Sequence, residues 1–133
     1  GSLLKDERKD VDGAEKAYRA AIEADPGYAT AHFNLGNLLL DERQDSDGAE
    51  KAYRAAIEAD PGHAHAHANL GAFDANRALE SERSGGDLRG CLALWDQAVK
   101  HFSNAAAAGV DDGMLKRAMD KAARVRARVR ALA

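Results

Sequence analysis

The chain has 133 residues, a net charge of −3 and one cysteine, with 45% hydrophobic and 31% charged residues. That length supports one domain, the hydrophobic content excludes disorder throughout, and the single Cys91 excludes an internal disulfide framework. No run approaches the roughly 18 apolar residues of a membrane span, and a lone cysteine without a signal peptide favours a reducing, cytoplasmic compartment.

Gly1-Ser2 reads as a cloning scar. Leu3–Arg8 nearly repeats Leu38–Arg43, the end of a helix, so the chain is expected to start inside a repeating unit. From Asp12 the sequence DGAEKAYRAAIEADPG runs to Gly27, and the same sixteen residues return unchanged at Asp47–Gly62, 35 positions on. Asp12 stands three residues before Glu15, and Asp47 before Glu50, which is capping-box spacing. Ala14, Ala17, Tyr18, Ala21 and Ile22 follow on one helical face. Asp25-Pro26-Gly27 stops the helix, because proline disfavours helix in the residue before it. Between the copies, Thr30–Arg43 carries a second stripe of Ala31, Leu35, Leu38 and Leu39. Helix, turn and helix therefore repeat every 35 residues. Such a unit cannot bury its apolar faces alone, so the expected fold is all-α, an α-solenoid of antiparallel helix pairs. The segments Asp6-Glu7-Arg8 and Asp41-Glu42-Arg43 read as solvated helix ends.

The third unit opens in register, with His67, Leu70 and Gly71 35 positions after His32, Leu35 and Gly36. Asp74 then falls where Leu39 predicts an apolar residue. Trp95–Asp111 supplies a second helix, with Ala98, Phe102 and Ala105 as its contact residues; the alternative register uses Cys91, Trp95 and Ala98. About fourteen surplus residues lie between the two helices, and Ser84-Gly85-Gly86 is the turn signal there. With Asp87 as N-cap, both helices are expected to run on by about two turns as an extended hairpin. MLKRAMDKAARVRARVRALA carries Leu115, Ala118, Ala122, Val125, Val129 and Leu132 on one face and reads as a C-terminal capping helix. The expected organisation is a scar at 1–2, a partial first unit at 3–27, a second at 28–62, a third at 63–110 and the capping helix at 111–133.

His32, Leu35, Gly36, Leu39, Ala49, Tyr53 and Pro61 resemble the tetratricopeptide repeat pattern W-x2-L-G-x2-Y, A-x3-F, P, whose period is 34. Ala14, Tyr18 and Pro26 match its second half, giving about two and a half units in all. His32 replaces the usual large aromatic. The resemblance implies a non-catalytic module whose first helices line a groove for a peptide or partner helix. It places Thr30, Phe33, Asn34, Asn37 and Asp41, then His65, Asn69, Ala72 and Asn76, in that groove. Asparagine amides there can pair with an extended backbone of any sequence, and Phe33 would add an apolar anchor. One subclass grips a C-terminal carboxylate with Lys, Arg and Asn. Asn37 and Asn69 match two of those places, but Phe33 stands where the first Lys would be, leaving Lys116 or Arg117 as sources of charge.

No catalytic constellation stands out. In HAHAHA, His63 and His67 share a helical face, yet no cysteine or carboxylate within the next turn completes a metal site. His101 stands ten residues from Cys91, about 15 Å along one helix, and so cannot serve it there, and Ser84–Asp87 is too short for a phosphate loop. The expectation is no enzyme, no metal and no cofactor. The last 23 residues hold seven Lys/Arg against three Asp/Glu, and the remainder 12 against 19. Arg124, Arg126, Arg128 and Arg130 could form a basic ridge for nucleic acid, but the acidic body and the lack of interleaved aromatics favour a solvated charged face. The half-unit before Asp12 would leave its helix uncovered, an apolar face inviting a homodimer.

Overall fold

A computed structural model of the chain describes residues 2–110 and 113–132, apart from the side chains of residues 2–7 and 9. Gly1 of the scar, Asp111 at the expected end of the third unit, and the side chains of Asp6 and Glu7 lie outside the described residues. Six helices and no strand occur among those described: α1 (Ser2–Ala24), α2 (Ala29–Asp41), α3 (Ser46–Ala59), α4 (Ala64–Arg83), α5 (Leu88–Ala107) and α6 (Met114–Arg130). They divide into two units, residues 1–63 and 64–133.

In the first unit α2 packs against both α1 and α3. Its predicted stripe of Ala31, Leu35, Leu38 and Leu39 is buried, and so are Ala49, Ala52, Tyr53 and Ala56 of α3. Gly36 of α2 faces Tyr53 of α3. A Cβ placed there would stand 2.6 Å from Tyr53 Cε1, so glycine is what admits the fully buried ring. The turns after α1 and α3 are alike. Asp25 Oδ1 accepts from the Gly27 amide and Asp60 Oδ1 from the Gly62 amide, both at 3.1 Å, an Asx turn set up by the Asp-Pro-Gly sequence. His32 takes the aromatic position by hydrogen-bonding the Pro26 carbonyl through Nε2 at 2.8 Å.

Two expectations about the copied segment are corrected. In α3 the N-cap is Asp45, not Asp47: Asp45 Oδ1 accepts from the Gly48 amide at 2.9 Å, and Asp47 sits inside the first turn. Gln44, at φ 53°, makes the left-handed turn that aims Asp45 at the helix end. In the first copy there is no cap at Asp12 at all, because α1 runs unbroken through it. Helix at residues 2–11 precedes it, and no left-handed residue, which costs ~1–2 kcal/mol, interrupts that helix as Gln44 does before α3. Asp12 and Glu15 instead receive Arg43, Glu15 Oε1 at 3.4 Å. The second of the supposedly solvated helix ends thus clasps α1. This pairing is exposed and contributes little to stability.

In the second unit α5 packs against both α4 and α6. α4 and α5 are 20 residues each against 13 and 14 for α2 and α3, the extended hairpin expected from the surplus residues. α4 ends where Gly85 takes φ +73°, with the Gly86 amide bonded to the Ser81 carbonyl and the Gly85 amide to that of Glu82. This is a Schellman motif, which a residue bearing Cβ would strain. Asp87 then caps α5 by accepting from the Arg89 and Gly90 amides. The close crossing of the first unit recurs: a Cβ on Gly71 would stand 2.8 Å from Phe102 Cε1. Phe102 therefore occupies the place of Tyr53, with Ala98 and Ala105 buried beside it. Cys91 and Trp95 are buried in the added length of the hairpin, against Ala78 and Glu82. Asp74 is buried although it replaces an apolar residue, with Oδ2 3.8 Å from His101 Nε2 and Oδ1 4.0 Å from Arg77 Nη1. α6 buries Ala118, Ala122 and Val125. Leu132, expected on that stripe, lies past the helix end and is 61% exposed.

The glycines give opposite expectations for one substitution. At Gly13, in mid-helix with nothing within 4 Å of a new Cβ, alanine should raise stability by ~0.5–1 kcal/mol. At Gly48, the identical position of the second copy, a Cβ collides with the capping Asp45 carboxylate, and losing that cap costs ~1 kcal/mol. At Gly36 the buried Tyr53 ring must shift, an overpacking cost of ~1–3 kcal/mol. Urea unfolding of the three variants should rank Gly13→Ala above wild type and the other two below it.

Candidate partner-binding surfaces

The groove positions expected on α2 divide into two kinds. Thr30 and Asp41 are exposed and Asn34 is half-buried. Phe33 instead packs its ring on Tyr53 and His63, with centroids 5.7 and 4.9 Å away. Asn37 Oδ1 accepts the Tyr53 hydroxyl at 2.5 Å. Phe33 is thus held by neighbouring rings, and the Asn37 carbonyl is already engaged within the fold. The first unit also carries a cleft of about 480 Å³. Arg19 and Lys51 border it, but so do Glu23 and Asp45, so it presents no charge of one sign.

On α4, His65, Asn69, Ala72 and Asn76 are spaced i, i+4, i+7 and i+11 and therefore share one face. His65 and Asn76 are exposed and Asn69 half-buried. Asn76 reaches the edge of a second cleft, about 250 Å³, held between α4 and α6 with α5 beneath. Ala72, Leu79, Trp95, Phe102, Met114 and Ala118 supply its apolar lining, and Arg117 and Lys121 stand on the α6 side. The rotation of α6 about its axis is fixed by Ala118, Ala122 and Val125, all buried in the same core as Trp95 and Phe102. That rotation divides the expected basic ridge. Arg126 turns to α5 and pairs with Asp96 at 2.8 Å, and Arg130, one turn on, follows it. Arg124 and Arg128 fall on the other flank. With Arg117 and Lys121 they make a cationic stripe at i, i+4, i+7 and i+11 along the cleft side. Among the described residues, Lys121, Arg124 and Arg128 form no ion pair. Steps of two drew attention to Arg124, Arg126, Arg128 and Arg130; the helical period joins Arg117 and Lys121 to two of them.

A tetratricopeptide repeat family model matches residues 3–64 and 38–83, together more than half of the chain. The chain belongs to the tetratricopeptide repeat family. No curated protein matches it. Tetratricopeptide repeats generally mediate protein–protein interaction and are typically non-catalytic. The family match ends at the last residue of α4. Past the match, the Gly71–Phe102 crossing repeats the contact that Gly36 makes with Tyr53 in the first unit. No helix is long and apolar enough to cross a membrane among the described residues.

The reactive side chains of this tetratricopeptide protein lie within its packing. His67 Nδ1 and His101 Nδ1 are 3.3 Å apart, one donating to the other, with Asp74 beyond His101. His63 lies against Phe33 instead of joining them. No group of three or more metal-binding side chains is found among the described residues. Cys91 Sγ lies 3.5 Å from the Ala78 carbonyl and 3.7 Å from Glu82 Oε1, which also accepts Trp95 Nε1–H at 3.1 Å. Burial pushes the Cys91 thiol up from its ordinary value, Glu82 adds to that, and Trp95 and Arg128 partly offset it. Since the thiolate is the reactive form, Cys91 should react with an aromatic disulfide at neutral pH at least about tenfold more slowly than in urea-unfolded chain. Equal rates would show that the helices do not enclose it.

Proposed function

We propose that the chain is a non-catalytic interaction module whose second unit holds a segment of a partner protein in the α4–α6 cleft. The observation carrying this reading is the cleft itself, an apolar floor left open between two helices and edged by Asn76, Arg117 and Lys121. Its volume falls below the ~300–1,000 Å³ of small-molecule sites, so it suits one or two side chains of a longer segment. Asn76 offers a donor and an acceptor to the backbone of that segment, and Asn69 and His65 continue the same face of α4. Thr30, Asn34 and Asp41 form a separate polar surface on α2 and serve as secondary contacts. The test is to select binders from a displayed random-peptide library and titrate the tightest while following the indole of Trp95, the sole tryptophan. Its resonance and the Asn76 amide should shift. Ala72→Trp, which fills the cleft, should weaken binding at least about tenfold with helix content unchanged. Binding unaffected by Ala72→Trp would place the partner elsewhere.

A second reading, self-association through α1, rests on the copied sequence. Ala49, Ala52, Tyr53 and Ala56 are buried in α3, whereas no described side chain of α1 is buried, including the matching Ala14, Ala17, Tyr18 and Ala21. An identical apolar face is thus fully covered in one place and only partly covered in the other. Sedimentation should show concentration-dependent dimers that Tyr18→Lys abolishes. A monomer throughout the accessible concentration range would remove this reading.

A further inference from the structure

The α6 flank beside the cleft specifies what kind of segment can lie there. Arg117, Lys121, Arg124 and Arg128 rise along it over about 16 Å, at ~1.5 Å per residue. Arg117 and Lys121 sit on the cleft wall itself. The opposite flank spends Arg126 on Asp96, and the first 110 residues carry more acidic than basic side chains. A one-signed stripe on an otherwise acidic chain, of which Lys121, Arg124 and Arg128 form no ion pair among the described residues, selects its partner by charge and disfavours other acidic chains elsewhere on the surface.

Resting on the reading of the cleft as a peptide site, we propose that its occupant is an acidic amphipathic helix of a partner protein, with carboxylates at i, i+4, i+7 and i+11 facing the α6 stripe and a large apolar side chain seated between Leu79 and Trp95. An antiparallel helix reproduces the stripe's own axial spacings, so all four carboxylates meet cations in one register. The apolar anchor supplies burial that solvent-exposed ion pairs cannot. The charges supply orientation and partner choice.

Three synthetic Ala-rich peptides of about eighteen residues, long enough to form helix, test this. They share one Leu pattern and carry Glu, Gln or Lys at the four facing positions. Binding is read from Trp95 fluorescence and from anisotropy of a labelled peptide. The Glu peptide should bind about tenfold or more tighter than the Gln peptide, with affinity falling as salt is raised. The double variant Arg117→Glu/Lys121→Glu should reverse the preference toward the Lys peptide while unfolding at an unchanged urea midpoint. Equal binding of Glu, Gln and Lys peptides, all sensitive to Ala72→Trp, would overturn the acidic-helix assignment and leave the cleft as a peptide site. No binding by any of the three, together with library-selected peptides insensitive to Ala72→Trp, would overturn the cleft reading. A single-stranded oligonucleotide that outcompetes the Glu peptide would assign the stripe to nucleic acid and overturn the proposal.

Discussion

A ring resting on a glycine at a helix crossing is the contact that the rest of the chain depends on. Tyr53 lies over Gly36 in the first unit and Phe102 over Gly71 in the second. Each crossing brings two helix backbones close enough for small neighbours, Ala49 beside Tyr53 and Ala98 beside Phe102, to be fully enclosed. Burying one such ring contributes about 1.5–3 kcal/mol, and it can be buried only where the facing helix has no Cβ. Helix propensity alone would not hold thirteen- or fourteen-residue helices in water. The crossing therefore does more than join helices already formed.

The duplicated segment separates sequence from surroundings. One sixteen-residue text is a capped, buried helix where a left-handed turn after α2 precedes it, and the half-covered end of a longer helix where no such turn interrupts the chain. The apolar stripe of α2 could be read from spacing, because burial on one face leaves a 3.6-residue period in the sequence. The true cap could not. Asp45 and Asp47 are both good N-cap residues, and the choice between them is made by Gln44 turning left-handed after α2 ends. Asp74 was unreadable for a related reason: its neighbour His101 lies 27 positions away in sequence and meets it only because α5 folds back on α4.

The proposed binding surface divides in the same way. That His65, Asn69 and Asn76 share the α4 face opposite the buried stripe could be read from the helical period. Phe33 and Asn37, expected in the groove, are engaged within the fold instead, with Tyr53 and His63 as their neighbours. The cationic stripe was present in the spacing of Arg117, Lys121, Arg124 and Arg128, hidden by the denser run of arginines at every second residue. Only the rotation imposed by Ala118, Ala122 and Val125 shows that Arg124 and Arg128 share the flank of Arg117 and Lys121 while Arg126 turns to Asp96. A fold that recurs in many binding proteins supplies the scaffold; in the proposed reading the specificity resides in the helix lying past the matched repeats.

The most direct test of the central claim is amide hydrogen exchange measured by NMR at a concentration where the chain is monomeric. Residues Ala14–Ile22 and Ala49–Ile57 are the same nine amino acids and differ only in what lies against them. If the ring-on-glycine crossing sets stability, the second set should exchange at least about a hundredfold more slowly than the first, as a packed helix does beside one open to local unfolding. Equal protection in the two would mean that the segment's own helical preference, and not the crossing, holds it in place.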